Sequence, residues 1–362
     1  PQSSPTRAET PAGVSMSSPV TDRFTTADAA EIYGVENWGN GYFGISSSGK
    51  LVVHPTGEQG LGVAVTDLVA DLARRGVATP VLLRFPQILG SQVARVAGAF
   101  RSAMAEFDYP EPYLPVFPIK VNHHREVVHA LLSAGWKHRL GLEVGSRAEL
   151  LAALATPAAP ESLLICNGYK DPEYLSAAAF ATRLGRRVVV VLEKPFELDP
   201  YLELAREVED LPQIGIRFKL QARGSGLWEK SGGYASKFGL STSQLLETVQ
   251  RLNDAGLGDR FTLLHFHIGS QVTEIRKIKN AIREAARVYA KLRRMGVDLR
   301  YLDVGGGLGI DYDGSKTSSD ASVNYNVQEY ANDIVFTVKD VCEEEHVPPP
   351  TLISESCLLY TS

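Results

Sequence analysis

The sequence has few cysteines, no long apolar run and no large excess of one charge. Its 362 residues include three cysteines, Cys166, Cys342 and Cys357, which form no CxxC pair and no spacing typical of metal ligands. The longest strongly apolar run, at 188–192, is short enough to be a buried strand and too short to span a bilayer. With no secretory apolar segment either, a reducing, cytoplasmic location is the simplest interpretation.

Charge also excludes two classes of partner. The chain has 37 basic and 42 acidic residues, which are interspersed and give a net charge of −5. No basic stripe or polybasic run is present, so we expect neither nucleic acid nor a membrane surface as a partner.

The two ends of the chain have unusual compositions. The first residue is proline, and the segment 1–26 is rich in Ser, Pro and Thr at its start, which predicts disorder. The last six residues, 357–362, read CLLYTS, which is one translation of the mosaic-end adapter of transposon-based sequencing libraries. We therefore expect the natural sequence to stop at Ser356, and genomic sequence that encodes CLLYTS there would contradict this.

Eight short apolar segments recur along the chain, and helix-like stretches lie between them. Their sequences and last residues are VFPIK to Lys120, LGLEV near Glu143, LLICNG to Gly168, VVVVLE to Glu193, IGIRFK near Lys219, LLHFHIG near Gly269, YLDVGGG to Gly307 and TLISES to Ser356. Strands that alternate with helices indicate a parallel sheet, and nearly continuous apolar character indicates strands buried on both faces. Eight units match an α/β fold of the (β/α)8 TIM-barrel type, with a doubly wound open sheet as the alternative.

The barrel is predicted to occupy residues 96–356, after a partly β N-terminal segment at 27–95. The patterns that indicate this segment are strands at 42–45 and 51–54, a helix at 61–75 and helical spacing from residue 93 onward.

Lys120 is the candidate nucleophile, because catalytic groups of such barrels lie at the C-terminal ends of the strands. We expect partial desolvation to lower the pKa of its amine and to favour a Schiff base with an aldehyde. An ordinary ion-paired lysine is the alternative.

Three consecutive glycines, Gly305, Gly306 and Gly307, follow the seventh strand. Glycines let backbone N–H groups turn toward an anion, and barrels commonly hold a phosphate after this strand. A tight turn is the alternative, and the absence of GxxxxGK[ST] excludes a P-loop.

His265 and His267 are two residues apart on the sixth predicted strand, so both should face one side. One of them could lie against a planar ring, whereas a metal hydrolase would need further ligands on other strand ends. Two core histidines remain a third interpretation. Glu355, at the end of the last strand, could bind a protonated pyridine nitrogen. A Schiff-base lysine, a phosphate loop, a flat imidazole and this carboxylate together favour pyridoxal 5'-phosphate.

Several long motifs closely resemble the biosynthetic arginine decarboxylases, which belong to the wider alanine-racemase-like group. The resemblance runs from about Tyr33 to Ser356 and rests on FPIKVNHHREVV, GLEVGSRAELL, ICNGYKD, GSGLWEKSGGYASKFGLS, LLHFHIGSQ, LDVGGGLGIDYDG and SVNYNVQEYAND. The SKFGLS, HFHIGSQ and GGGLG patterns are shared by the wider group, while the longer motifs indicate the arginine branch.

The resemblance implies roles for matching residues. Lys120 is similar to the lysine that binds the cofactor, His267 to the histidine stacked on its ring, and Glu355 to the partner of its nitrogen; these three are the predicted catalytic residues. Ser270 and Gly305–Gly307 resemble phosphate ligands, and Glu143 and Arg217 match positions that line the cofactor pocket. The stretch that resembles a substrate-binding segment is Leu302, Asp303, Val304, Gly305, Gly306, Gly307, Leu308, Gly309, Ile310, Asp311 and Tyr312.

The implied reaction converts L-arginine to agmatine and carbon dioxide, on the way to putrescine and spermidine. Magnesium (Mg2+) is a further implied requirement, although the sequence indicates no ligands for it. A homodimer or homotetramer is implied for the full-length protein.

The chain departs from the family after SES, where relatives continue with GR and a β-rich C-terminal domain that is missing here. We therefore expect this fragment to be inactive by itself; agmatine production by it would contradict that. Decarboxylases of ornithine, lysine or diaminopimelate, a racemase of the same group and a non-catalytic pyridoxal-phosphate-binding relative remain alternatives.

Overall fold

The computed structural model describes residues 24–57, 60–220, 238–312, 314–356 and 358–361. Most of the predicted disordered segment, residues 1–23, lies outside this range, and Thr26 begins the first helix. Residues 224–237 of the motif GSGLWEKSGGYASKFGLS and the first and last residues of the CLLYTS tail also lie outside the described residues.

The N-terminal segment forms a small antiparallel sheet with helices on either side of it in sequence, which confirms the prediction of a partly β segment. Its elements are α1 (Thr26–Ile32), α2 (Val35–Gly39), β1 (Phe43–Ile45), β2 (Leu51–Val53), β3 (Val63–Ala64) and α3 (Val65–Arg74). The strand order is β1-β2-β3. The helix predicted from residue 61 begins at Val65, because Val63 and Ala64 pair with β2 instead.

Eight parallel strands then close into a barrel, which confirms the predicted fold and excludes the open sheet. They are β4 (Tyr113–Pro118), β5 (Gly141–Val144), β6 (Leu163–Cys166), β7 (Arg187–Leu192), β8 (Gln213–Arg217), β9 (Phe261–His265), β10 (Tyr301–Asp303) and β11 (Thr351–Glu355). They follow one another in sequence order around the barrel, and β11 pairs with β4 to close it.

Helices precede and follow the barrel strands. They are α4 (Pro86–Glu106), α5 (Arg125–Gly135), α6 (Arg147–Leu154), α7 (Pro172–Arg183), α8 (Leu198–Leu204), α9 (Thr242–Asp254), α10 (Ile275–Arg294), α11 (Val327–Glu344) and α12 (Leu358–Thr361). The boundary between the N-terminal segment and the barrel is predicted between residues 95 and 96, and helix α4 runs without a break through this position. The boundary remains a prediction.

Side-chain caps start four of these helices. Ser146, Asp171, Ser241 and Asn326 each accept a hydrogen bond from the backbone N–H three residues further on. Such caps satisfy N–H groups that have no partner within the helix, so the polar residue after each loop decides where the helix begins.

The barrel has two packed layers. Side chains that point into its lumen form one buried cluster: Leu114, Val116, Leu163, Ile165, Val189, Val191, Leu263 and Ile353. The alternating residues point outward and pack against the helices in a larger cluster. Each strand is therefore buried on both faces, which explains its continuous apolar sequence.

The strands end earlier than the sequence pattern indicates. Strand β4 ends at Pro118, and Lys120 lies on a single 3₁₀ turn, Ile119–Val121. Strand β9 ends at His265, so the prediction that His267 lies on the strand is wrong. These functional candidates therefore lie on the loops just above the barrel.

Part of the C-terminal tail packs into the protein. Leu359 and Tyr360 of α12 are buried, and the ring of Tyr360 lies 6.4 Å from that of Phe117. The origin of this segment remains a prediction. Among the described residues, no helix combines the length and apolar character that crossing a membrane requires.

Candidate active site

The C-terminal ends of the strands surround a cavity of about 280 Å³, near the lower end of the range for small-molecule sites. Its lining residues come from strands far apart in sequence: Lys120, Glu143, Gly145, Asn167, Gly168, Glu193, Arg217, Phe238, His265, His267 and Glu355. The structure thus brings together five predicted cofactor residues, namely Lys120, Glu143, Arg217, His267 and Glu355.

Lys120 is paired with Glu143 across two neighbouring strands. Its Nζ donates to both carboxylate oxygens, at 2.9 and 3.1 Å, and the Glu143 side chain is fully buried. Burial lowers the pKa of Lys120, but the carboxylates, Glu143 first and then Glu355, outweigh it, and the net pKa is raised. The expectation of a lowered pKa is wrong because the sequence alone did not pair the amine with Glu143.

His267 is held as a neutral imidazole. The backbone N–H of Gly269 donates to its Nδ1 at 3.0 Å, so Nδ1 carries a lone pair and the ring proton lies on Nε2. Burial, helped by the positive charge of Arg217, holds the pKa of His267 well below its usual value.

The three glycines after β10 turn closely around His267. Gly305 has a φ of +66°, and a Cβ there would lie 2.3 Å from the carbonyl oxygen of Phe266. A Cβ on Gly306 would lie 3.0 Å from Nε2 of His267. An added side chain would collide with neighbouring atoms here, so glycine allows this turn to pass close to His267.

Behind the cavity lies a buried polar cluster around Glu355. Nδ2 of Asn167 donates to Oε1 of Glu355 at 2.9 Å, and Nδ1 of His265 lies 4.0 Å from the same oxygen. His265 Nδ1 is also 3.2 Å from Asp303 Oδ2, although neither atom makes a hydrogen bond. Asp303 Oδ1 accepts from the backbone N–H of Gly305 at 2.9 Å, which connects the cluster to the glycine turn.

Burial dominates the protonation of this cluster. It raises the pKa of Asp303 to about 8 and that of Glu355 to about 8, and it lowers the pKa of His265 to about 4. The neighbouring Asp303 adds to the rise in the pKa of Glu355, so a positive charge brought next to Glu355 would be strongly favoured.

A second ion pair forms the opposite side of the mouth. Arg217 NH1 donates to Glu193 Oε1 at 2.7 Å, and the guanidinium lies 5.6 Å from the ring centre of Phe238. The pair is mostly buried, and it presents fixed positive charge to the cavity.

The remaining predicted residues lie elsewhere. Ser270 is exposed on the loop after His267 and is not among the residues that line the cavity. Leu302, Asp303 and Val304 are in the interior. The later part of the predicted substrate stretch, from Leu308 to Asp311, lines a separate cavity of about 470 Å³, and Tyr312 is exposed next to it.

Residues that the sequence interpretation missed include Gly145, Gly168 and Phe238. Gly168 has a φ of +77°, and a Cβ there would lie 2.0 Å from the carbonyl oxygen of Gly145. A glycine just after a strand signals such a close approach, whereas no local sequence pattern indicates that Phe238 lines the mouth.

The described residues contain one cluster with the spacing of metal ligands. Atoms of His265, Asp303 and Glu355 lie within 4.8 Å of one another. Magnesium prefers oxygen ligands and several waters, and this site includes an imidazole and is fully buried. We therefore assign no magnesium site to it.

These residues fit pyridoxal 5'-phosphate. The cavity contains an amine, a neutral imidazole and a buried carboxyl, and the glycine turn beside His267 would be blocked by any Cβ. The fold and the site therefore define a barrel of the class that binds this cofactor.

Comparison with known proteins identifies the family. The family model for the pyridoxal-dependent decarboxylases, pyridoxal binding domain, matches residues 92–362. The chain belongs to this family, and its cofactor is pyridoxal phosphate.

Biosynthetic arginine decarboxylases are among the curated relatives of this chain. That of Deinococcus radiodurans is 48% identical over 343 residues, which are 95% of this chain and 52% of the relative. That of Rhodopirellula baltica is 47% identical over 341 residues, 94% of this chain and 51% of the relative. The chain thus spans about half the length of the curated relatives it matches.

Solved structures agree with this assignment. The biosynthetic arginine decarboxylase of Campylobacter jejuni has a TM-score of 0.82 and 34% identity, covering 91% of this chain and 53% of its own. Diaminopimelate decarboxylase of Helicobacter pylori, complexed with L-lysine, has a TM-score of 0.58 and 21% identity, covering 75% of this chain and 62% of its own. The second likeness shows the fold alone.

Proposed function

We propose that the protein containing this chain decarboxylates L-arginine to agmatine and carbon dioxide, in the biosynthesis of polyamines. The observation that carries the proposal is the 48% identity to a biosynthetic arginine decarboxylase over 95% of the chain. The assembled mouth, with Lys120, Glu143, His267 and Glu355 around one cavity, supports it.

Lys120 is the residue proposed to hold the cofactor covalently through its amine. The Glu143 carboxylate keeps that amine at the mouth and keeps it protonated until a base or the ligand removes the proton. After the carboxyl group of the substrate leaves, a protonated Lys120 is placed to return a proton to the α-carbon.

His267 and Glu355 are proposed to hold the ring from different sides. When bound, the pyridoxal ring accepts the electrons left by the departing carbon dioxide. Glu355 would bind the protonated ring nitrogen and so hold a proton there, while the neutral His267 adds contact without repelling that charge.

The phosphate is proposed to bind at the backbone of Gly305–Gly307, with Ser270 as a further ligand. Glu143 and Arg217 line the pocket, and the stretch from Leu302 to Tyr312 is proposed to contribute to substrate binding. The later part of that stretch, which lines the separate cavity from Leu308 to Asp311, supports this role better than its buried start.

The substrate is tested by carbon dioxide release from L-arginine, L-ornithine, L-lysine and meso-diaminopimelate, using the whole protein that contains this chain and added pyridoxal phosphate. We expect arginine to react with the highest kcat/KM, with agmatine as the product. A higher kcat/KM for any of the other three would overturn the assignment to arginine.

We further propose a cytoplasmic location and a homodimeric or homotetrameric assembly for the whole protein. Buried, unpaired Cys166 and Cys342 support a reducing compartment. Sedimentation of the whole protein at several concentrations tests the assembly, and a monomer throughout would contradict it.

A further inference from the structure

Asn167 contacts Glu355 across the mouth of the barrel. Asn167 directly follows β6, whereas Glu355 ends β11, and the two side chains meet although 188 residues separate them. Both are buried, Asn167 being 6% exposed and Glu355 3% exposed. A buried hydrogen bond to a carboxyl group is among the stronger kinds, so this contact fixes the orientation of Glu355.

The contact uses one carboxyl oxygen only. Asn167 Nδ2 lies 2.9 Å from Oε1, and the nearby His265 Nδ1 also faces Oε1. Among the described residues, no donor is paired with Oε2, so that oxygen is available to a ligand in the cavity.

The backbone keeps Asn167 itself in place. Its N–H donates to the carbonyl oxygen of Val144 at 2.8 Å, which continues the pairing of β5 with β6. Its Oδ1 is buried and has no hydrogen-bond partner among the described residues. An amide flip would bring this oxygen against Oε1 of Glu355, so the amide can support an ionised Glu355 in one orientation only.

We propose that Asn167 is a positioning residue that holds Oε1 of Glu355 and so directs Oε2 to the ring nitrogen of pyridoxal phosphate. The proposal rests on the proposed role of Glu355 as the partner of that nitrogen. Asn167 acts through Glu355 and touches no reacting atom.

The test compares two ligands that differ at the ring nitrogen. Dissociation constants are measured by absorbance titration of the purified chain with pyridoxal phosphate and with 1-deazapyridoxal phosphate, in which a C–H group replaces the nitrogen. The variants are Asn167→Leu, which keeps the approximate size and removes the donor without adding a charge, Asn167→Ala, Glu355→Gln and the double variant Asn167→Leu/Glu355→Gln. Asn122→Leu is the matched control, since Asn122 lies on the same rim and contacts His124 instead.

We expect Asn167→Leu to weaken binding of pyridoxal phosphate by about 10-fold or more, the usual size for a lost hydrogen bond to a charged group. Binding of the deaza ligand should stay within about 2-fold of wild type, and Asn167→Leu should have no further effect in the Glu355→Gln background. Asn122→Leu should bind both ligands as wild type does.

Two results would overturn the inference. One is an equal loss of affinity for both ligands, or an equal loss with Glu355 and with Glu355→Gln. Either would mean that Asn167 supports the fold and not the carboxyl group. The other is unchanged binding of pyridoxal phosphate by Asn167→Leu and Asn167→Ala. If Glu355→Gln itself binds pyridoxal phosphate as tightly as wild type, the proposed role of Glu355 fails instead. Thermal melts confirm that each variant is folded.

Discussion

At the scale of single residues, charged side chains are concentrated at the mouth of the barrel, and most of them form ion pairs. Lys120 is paired with Glu143 and Arg217 with Glu193, whereas Glu355 has, among the described residues, only the amide of Asn167 as a side-chain hydrogen-bond donor. A buried carboxyl group with no cationic partner holds its proton, and the pKa of Glu355 rises to about 8. A protonated ring nitrogen would supply the missing partner.

The pairing of Lys120 predicts the pH dependence of cofactor attachment. Glu143→Gln removes the main group that raises the pKa of Lys120, so more of the amine is unprotonated at a given pH. We expect the pH at which covalent attachment is half complete to move downward. Titration of the visible absorbance of bound cofactor measures it, with Glu203→Gln, at an exposed position of α8, as the control. An unchanged or higher midpoint in Glu143→Gln would contradict this.

The raised pKa of Asp303 should make the stability of the cofactor-free protein depend on pH. Its pKa is raised from 3.8 to about 8 by burial, so between these values the folded state holds a proton that the unfolded state has lost. Stability from this group is therefore complete below pH 3.8 and is lost as pH rises toward 8.

Between pH 6.5 and 8, His265 does not contribute, because its lowered pKa affects stability only below 6.5. Glu355, whose pKa is also raised to about 8, titrates in this window in wild type and in Asp303→Asn, so the comparison of the two proteins tests Asp303. As pH rises through this window, the free energy of unfolding measured in urea should fall by about 1.4 kcal/mol per pH unit more in wild type than in Asp303→Asn. Parallel profiles for the two proteins would show that Asp303 is ionised in the folded state.

At the scale of elements, the strands provide the frame and the loops after them provide the chemistry. The apolar pattern predicts all eight strands, because each is buried on both faces. It does not predict their last residues, since a strand ends where its neighbour stops pairing; β9 ends at His265 opposite the last residue of β10, Asp303. His267 therefore occupies a loop that periodicity alone assigns to a strand.

The glycine turn after β10 predicts the effect of one added methyl group. In Gly306→Ala, the new Cβ would lie 3.0 Å from His267 Nε2 and 3.4 Å from the carbonyl oxygen of Glu355. Because the ring must move, we expect binding of pyridoxal phosphate to weaken by about 10-fold, a loss of roughly 1.4 kcal/mol. Gly98→Ala in α4 is the control, since nothing lies within 4 Å of its Cβ. Equal affinities in the absorbance titration would contradict a tight turn.

At the scale of the whole molecule, closure of the barrel brings distant residues to one mouth. Strand β11 pairs with β4, which places Glu355 beside Val116 and near Lys120, over 200 residues earlier in the chain. The sequence predicts this convergence, because a barrel has only one end at which strands finish. It does not predict which side chains touch, because the contact of Glu355 with Asn167 depends on packing across the mouth.

The lumen cluster predicts where the molecule is most sensitive to lost volume. Leu263 is fully buried among the inward-pointing residues, whereas Leu151 on α6 is 55% exposed. Leu263→Ala should lower the free energy of unfolding by about 2–5 kcal/mol. Leu151→Ala should change it by less than about 1 kcal/mol. Urea denaturation measures both, and similar losses would mean that the lumen is not tightly packed.

The central claim is that Lys120 binds pyridoxal phosphate at the mouth of this barrel. The most direct measurement is borohydride reduction of the purified chain with pyridoxal phosphate, followed by mass spectrometry of its peptides. We expect one pyridoxyl group, on Lys120, its loss in Lys120→Ala, and none on the fully buried Lys170, whose pKa is lowered by burial. Modification of Lys170, labels spread over surface lysines, or an unchanged label in Lys120→Ala would contradict the claim.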